Sequence, residues 1–226
     1  MEIKPIAYIK TGFTEKFGLP RNSGRVEISG TIVFEPEFRN PEALKGIEEY
    51  NYLWLIFDFN MSHRNGFSPT VRPPRLGGNI RKGVFATRSP FRTNNLGLSC
   101  VKLISTEKTP NKGVVINVSG VDLLNDTPIY DIKPYIPFSD CRSDAKGGFS
   151  DKYKDHKLEV VLSDNIKPRI NENDLKVIID CIADDPRPAY IDDERTYGMQ
   201  YNGYEIKFSI KENIATILSI EEVLAK

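Results

Sequence analysis

Tyr52-Leu53-Trp54-Leu55-Ile56-Phe57-Asp58-Phe59 is the stretch that decides the fold. Its first six residues form the densest apolar run in the chain, far short of the roughly 20 needed for a helix to cross a bilayer. A short, aromatic-rich run of this length reads as a buried strand. Working outward, apolar or alternating runs of strand length recur at residues 6–10, 25–34, 83–87, 99–105 and 114–118. Turn-forming clusters separate them, such as Asn94-Asn95 and Asn111-Lys112-Gly113. One helix is predicted in this half, over residues 41–50, with Asn40 as N-cap and Pro41 in the first turn. Strands and helices do not alternate, which disfavours a doubly wound parallel sheet. The pattern predicts a mainly β chain whose N-terminal part is a small β-barrel or sandwich.

A Ser-, Asp-, Lys- and Gly-rich stretch at residues 139–157 marks a boundary or a long loop. Two domains are therefore expected, 1–145 and 146–226. The second should be a small α+β unit: a strand at 158–162, a helix capped by Asn171, a Pro-rich loop at 184–190, and strands at 204–210 and 214–220. Leu175, Ile178, Ile179 and Ile182 give that helix its apolar stripe.

The 226 residues contain 39% apolar and 27% charged side chains, with 12 Phe, 10 Tyr and one Trp, which excludes a disordered chain. Met1-Glu2-Ile3-Lys4-Pro5 lacks a signal-peptide layout. Cys100, Cys141 and Cys181 are odd in number and far apart, as expected in a reducing, cytoplasmic compartment. Neither they nor His63 and His156 have zinc-ligand spacing, so no metal is expected.

The zero net charge averages unlike parts. Residues 59–106 carry 8 basic and no acidic side chains, whereas residues 151–226 carry 11 basic and 16 acidic ones. The arginines of the acid-free segment sit among Gly and Pro, so loops position them. That favours an anion-binding surface, for a nucleotide phosphate or a nucleic-acid backbone, over a merely solvated face.

Within it, Ser68-Pro69-Thr70-Val71-Arg72-Pro73-Pro74-Arg75-Leu76-Gly77-Gly78-Asn79 sets Arg72 and Arg75 on either side of a stiff two-proline spacer. Residues 83–87 read as a short buried strand leading into Arg88 and Arg92, which could hold a carboxylate or phosphate by bidentate hydrogen bonds. Asp122, Asp126 and Asp131 are expected in a loop after a strand. There they could accept ribose hydroxyls or a ligand ammonium, or serve as plain turn and cap residues. The dinucleotide, P-loop, Ser-His-Asp and His-Glu-x-x-His patterns are absent.

Together, residues 70–79, 83–89 with Phe91-Arg92, 131–135, and Asp185-Pro186-Arg187-Pro188-Ala189-Tyr190 resemble the TsaA-like family, whose characterised members are the TrmO tRNA methyltransferases. The resemblance is strong over about residues 5–138. It implies a homodimeric β-barrel methyltransferase outside the Rossmann class. Such an enzyme uses S-adenosylmethionine (SAM) to methylate N6 of N6-threonylcarbamoyladenosine beside the tRNA anticodon, at position 37.

The residues carried over are these. Asn22, Ser23 and Gly24 match the first cofactor loop, and Asn60-Met61 stand where the family usually has His-Gln. Arg88 matches the cofactor-contacting arginine, Leu98 the apolar position ten residues on, and Val121, Asp122, Leu123 and Leu124 the closing loop. The usual Phe-Arg-Pro-Asn-Pro reads Phe91-Arg92-Thr93-Asn94-Asn95. Arg92 is the expected holder of the threonyl carboxylate, and Asp126 or Asp131 the expected proton acceptor. Arg72, Arg75, Lys133, Tyr135, Arg187 and Tyr190 are expected to contact tRNA, and Phe67, Phe91 or Tyr135 to stack on a splayed base. Two readings compete: a β-barrel that binds tRNA or a nucleotide without chemistry, and a SAM-dependent enzyme acting on another small substrate.

Overall fold

The computed structural model describes residues 2–163, 166, 170–188 and 195–223. In chain order the strands are β1 (Ala7–Lys10), β2 (Ser29–Phe34), β3 (Tyr52–Asp58), β4 (Thr70–Val71), β5 (Lys82–Gly83), β6 (Leu96–Thr109), β7 (Gly113–Ser119) and β8 (Thr127–Pro134). Then come helix α1 (Pro137–Asp140), β9 (Glu159–Leu162), helix α2 (Glu172–Ala183), β10 (Thr196–Tyr201), β11 (Tyr204–Lys211) and β12 (Ile214–Glu222).

Six strands hydrogen-bond in a closed ring, in the order β1-β2-β7-β6-β3-β8, with every neighbouring pair antiparallel. Alternation sends Leu53, Leu55 and Phe57 of β3 inward with Ala7, Ile9, Ile32, Val101, Ile116 and Ile129. Gly97 makes room for that packing: a Cβ there would stand 2.2 Å from Cζ of Phe57. The outward residues of β3 and its neighbours include Tyr52, Trp54 and Leu98, interleaved with Lys102 of β6 and with Asp131 and Lys133 of β8.

The C-terminal sheet runs β10-β11-β12-β9, with β9 parallel to β12. Helix α2 contributes Ile178, Cys181 and Ile182 to its core beside Ile206, Phe208 and Ile217. Asn171 caps the helix, its side-chain oxygen accepting from the Asp174 N–H at 2.8 Å, a contact worth about 1 kcal/mol. Segment 11–20 joins the two sheets. The Phe13 ring lies 4.8 Å from Tyr201, Phe17 stacks 5.9 Å from Tyr197, and the Asn202 N–H donates to the Gly12 carbonyl at 2.7 Å.

Four expectations need correction. The helix over 41–50 is two 3-10 turns, Pro41–Leu44 and Ile47–Glu49, because Lys45 is extended and Gly46 takes φ 84°; the Asn40 cap is present. Residues 83–87 are not a strand. Lys82–Gly83 pairs with β4, and Val84–Ala86 is a 3-10 turn closed by the Thr87 hydroxyl donating to the Val84 carbonyl at 2.9 Å. Asp131 stands on β8, not in a loop; Pro128 and Pro134 near its ends disguise that strand, though proline is tolerated there. The C-terminal sheet has a further strand, β10, and stretch 139–157 contains a 3-10 turn at Gly148–Tyr153.

Candidate functional site

Three loops converge at one end of β6. The Cys100 N–H donates to Ser23 Oγ at 3.2 Å, and the Gly24 N–H donates to the Gly120 carbonyl at 2.8 Å. Both glycines have positive φ, 75° and 78°, and a Cβ on Gly120 would come within 3.3 Å of the Gly24 backbone, so the close approach needs glycine. Ser99, buried next to Cys100, donates its hydroxyl to Asp122 Oδ1 at 2.6 Å.

Burial pushes the Asp122 carboxyl up to about 6. Hydrogen bonds from the Ser99 hydroxyl and from the backbone N–H groups of Asp122 and Ser23, and then the Arg88 charge, oppose that rise. Arg88 itself is exposed and has no hydrogen-bond partner among the described residues. Leu98 is 53% exposed on the same strand end. The fold thus gathers Ser23, Gly24, Arg88, Leu98 and Asp122 from four separate parts of the chain, with Asn22 exposed on the rim. Val121 and Leu123 point into the core, so only their backbone can face a ligand; Leu124 packs partly buried against the same core.

Asn60-Met61 form part of a 3-10 turn after β3. Lys16 Nζ donates to the Met61 carbonyl at 2.6 Å and to Ser62 Oγ at 2.9 Å, and the Phe59 N–H donates to the Asn95 carbonyl at 2.8 Å. This places the pair beside the Thr93–Asn95 loop, without a hydrogen bond to the Asp122 cluster. Arg92 staples its own loop: Nη1 donates to the carbonyls of Val84 at 3.0 Å and Thr87 at 2.9 Å. Asp126 and Asp131 are each engaged by a lysine, Asp126 by Lys10 and Asp131 by Lys133 at 2.8 Å. Tyr135 packs against Trp54 and Tyr52, with centroids 5.7 and 6.3 Å away.

Of the expected tRNA contacts, Arg72 is exposed and unpartnered among the described residues, and Tyr190 lies outside them. Arg75 and Arg187 are engaged within the protein. Arg75 Nη2 donates to the Asp184 carbonyl at 2.5 Å, and Arg187 is pinned to Asp185 through Nε at 3.0 Å. Arg25 Nη2 joins Asp184 Oδ1 at 2.6 Å, Arg21 Nη2 reaches the Arg187 carbonyl at 2.8 Å, and His156 Nε2 lies 3.1 Å from Asp185. These side chains tie the N-terminal loops to the C-terminal sheet, so their charge is spent within the protein.

Sequence reasoning missed two features. Ser99 is one; its role depends on a residue 23 positions away. The other is His63 held 2.7 Å from buried Asp58, beside the Asn60-Met61 turn. Among the described residues no cluster of His, Cys, Asp or Glu is arranged to hold a metal ion. No helix among them is long and apolar enough to cross a membrane.

Comparison with known proteins gives the family. The family profile described as tRNA-methyltransferase O N-terminal domain matches residues 8–141, and the TrmO C-terminal domain profile matches residues 155–223. An Escherichia coli K12 protein named tRNA (adenine(37)-N6)-methyltransferase is 32% identical over 231 residues, covering 97% of each chain. A Pyrococcus abyssi protein named "Probable S-adenosyl-L-methionine-binding protein" is 38% identical over 162 residues, covering 71% of this chain and 82% of that one. The crystal structure of TrmO from P. aeruginosa superposes with a TM-score of 0.80 at 30% identity, covering 98% of this chain and 97% of the other.

Proposed function

The chain belongs to the tRNA-methyltransferase O family, and we propose that, as a SAM-dependent tRNA adenine-N6 methyltransferase, it methylates N6 of adenosine 37 where that nitrogen carries a threonylcarbamoyl group. The observation that carries this reading is the Ser23–Ser99–Asp122–Arg88 cluster, assembled from β6 and three separate loops.

The donor set fits SAM. Its aminoacyl end and ribose need a cation for a carboxylate and an anion for an ammonium or hydroxyls, and Asp122, with Arg88 close enough for its charge to act on that carboxyl, can supply these. Gly24 leaves open space, with nothing within 4 Å of an added Cβ, and Leu98 offers exposed apolar surface for an adenine face. When bound, SAM supplies an electrophilic methyl group. The chain's own task is then to hold the acceptor nitrogen in line with it, which needs positioning and no covalent nucleophile.

Arg92 keeps Nε and Nη2 unengaged among the described residues while Nη1 stays on two carbonyls. It can therefore hold the threonyl carboxylate from a fixed base. Asp126 and Asp131 already carry lysine partners, and we assign the proton released by the acceptor nitrogen to solvent rather than to either.

Two further parts of the reading concern organisation. We take the ring as a β-barrel catalytic domain, 1–145, and the C-terminal sheet with its helix as a second domain, 146–226. The outward face bearing Tyr52 and Trp54, next to helix α1 with its 90% exposed Phe138 and its Asp140 accepting from Trp54 Nε1, supports a homodimer closed over it.

The test is methyl transfer from labelled SAM to two versions of one tRNA, with and without the threonylcarbamoyl group. Label in the modified tRNA alone supports the reading. Equal labelling of both refutes the substrate assignment, and SAM binding without transfer to either favours the module that lacks chemistry.

A further inference from the structure

Phe67 and Phe85 are unusual among the apolar residues of this chain. Phe85 is 77% exposed and Phe67 57%, yet the two rings lie together, centroids 6.3 Å apart and planes inclined by 27°. Leaving two such rings in water forgoes burial worth about 1.5–3 kcal/mol each. Their placement is built rather than incidental. Phe67 precedes β4 and Phe85 follows β5, and those strands pair Thr70 with Gly83 and Val71 with Lys82. The ribbon is closed at its base by the Val84 N–H donating to the Pro69 carbonyl at 2.9 Å, and braced by Arg81 Nη1 donating to Thr70 Oγ1 at 2.9 Å.

An arginine stands beside the rings. The Arg92 guanidinium carbon is 5.6 Å from the Phe85 centroid, and its Nη1 is fixed by the same turn that presents Phe85. Arg64 lies over Phe91 at 3.6 Å, which covers one face of that ring. No acidic side chain occurs between residues 59 and 106 to oppose a polyanion. Exposed aromatic faces beside a fixed cation, in an acid-free segment, match unpaired nucleotides: bases stack on the rings while phosphates meet the segment's basic side chains.

We propose that Phe67 and Phe85 form a stacking platform for an unpaired base of the tRNA anticodon loop, with Arg92 at its edge. The proposal rests on the tRNA reading above and adds which surface receives the loop. Phe85, which sequence reasoning passed over, is its most exposed member. Tyr135, by contrast, belongs to the aromatic group on the outer face of β3.

The test uses the whole protein and an anticodon stem-loop RNA with 2-aminopurine at an unpaired loop position. Wild type should bind it with a fluorescence change. Phe85→Ala and Phe67→Ala should each weaken binding on the order of five- to a hundredfold. The slope of log affinity against log salt should stay unchanged, because stacking displaces no counterions. Phe85→Tyr should restore affinity, and SAM binding by calorimetry should be unaltered in all variants.

Wild-type binding with alanine variants within twofold of it would overturn the platform and leave the tRNA reading standing. A change of oligomeric state in Phe85→Ala by sedimentation would overturn it in favour of a protein interface. Failure of wild type to bind the RNA at all would overturn the tRNA reading, and the platform with it.

Discussion

Asp185→Asn should loosen the joint between the ring and the C-terminal sheet. Asp185 is buried and takes φ 51°, and its carboxylate is shared among several donors. Oδ1 accepts from the Arg187 N–H at 3.2 Å and Nε at 3.0 Å. Oδ2 accepts from Arg187 Nη2 at 3.3 Å, and lies 3.1 Å from His156 Nε2 and 3.8 Å from Arg75 Nη1. Asparagine preserves the shape and tolerates the left-handed backbone, so the substitution isolates the charge. Removing one partner of a buried ion pair costs about 3–5 kcal/mol, because Arg187 and Arg75 stay behind uncompensated. With a urea m-value of about 3 kcal/mol per molar, the unfolding midpoint should fall by about 1 M or more. Circular dichroism in urea at pH 7 measures it.

The pH dependence checks the same reasoning. Burial alone would raise the Asp185 carboxyl, but hydrogen bonds from Arg187 and His156, with the Arg187 and Arg75 charges, hold it below the usual range. A depressed carboxyl contributes stability above its unfolded value, near 4, and that stability is lost as pH falls through the lower folded value. The deficit of the variant should therefore be full at pH 7 and shrink below about pH 4. A midpoint within about 0.2 M of wild type at pH 7 would refute the account of this joint.

Arg88→Ala should weaken SAM binding by about 1.5–3 kcal/mol, tenfold to more than a hundredfold, and unchanged affinity in calorimetry would remove Arg88 from the cofactor site. Because burial raises Asp122 to about 6, SAM affinity should increase as its carboxylate forms between about pH 5 and 7, and Asp122→Asn should bind weakly with a flat profile. The same raised value makes the fold lose stability as pH climbs from about 4 to about 6, a trend the asparagine variant should lack in urea titrations. Affinity for tRNA should fall with salt at a log–log slope of about −3, if the exposed Arg64, Arg72, Arg81 and Lys82 each meet one phosphate of a single strand. Gly97→Ala should destabilise by about 1–3 kcal/mol or more through collision with Phe57, read as a lower melting temperature.

Much of the ring was legible because one buried face imposes a period of two. Strands β1, β2, β3, β6 and β7 all fall on apolar runs, and Asn171 and Asn40 announce their caps by residue type. Strand β8 was hidden because two prolines and Asp131 carry turn chemistry, and only pairing with β1 and β3 overrides it. The site was legible unevenly. Family resemblance marked Ser23, Arg88, Leu98 and Asp122, but the Ser99–Asp122 bond follows from β6 lying beside the loop that leaves β7, which no local pattern encodes. The ion pairs of Arg75 and Arg187 were hidden for a related reason. Residue type shows where arginines are, not which have an acid waiting; Asp184 and Asp185 lie about 110 residues beyond Arg75, and Asp185 faces Arg187 from a left-handed backbone position.

Nucleoside mass spectrometry tests the central claim most directly. Threonylcarbamoylated tRNA is incubated with the purified protein, with and without SAM, then digested and analysed. The account predicts that the mass of one methyl group in place of a hydrogen appears on the threonylcarbamoyladenosine of position 37, only when SAM is present. Methylation of a different nucleoside, or none while SAM binds normally, would contradict it.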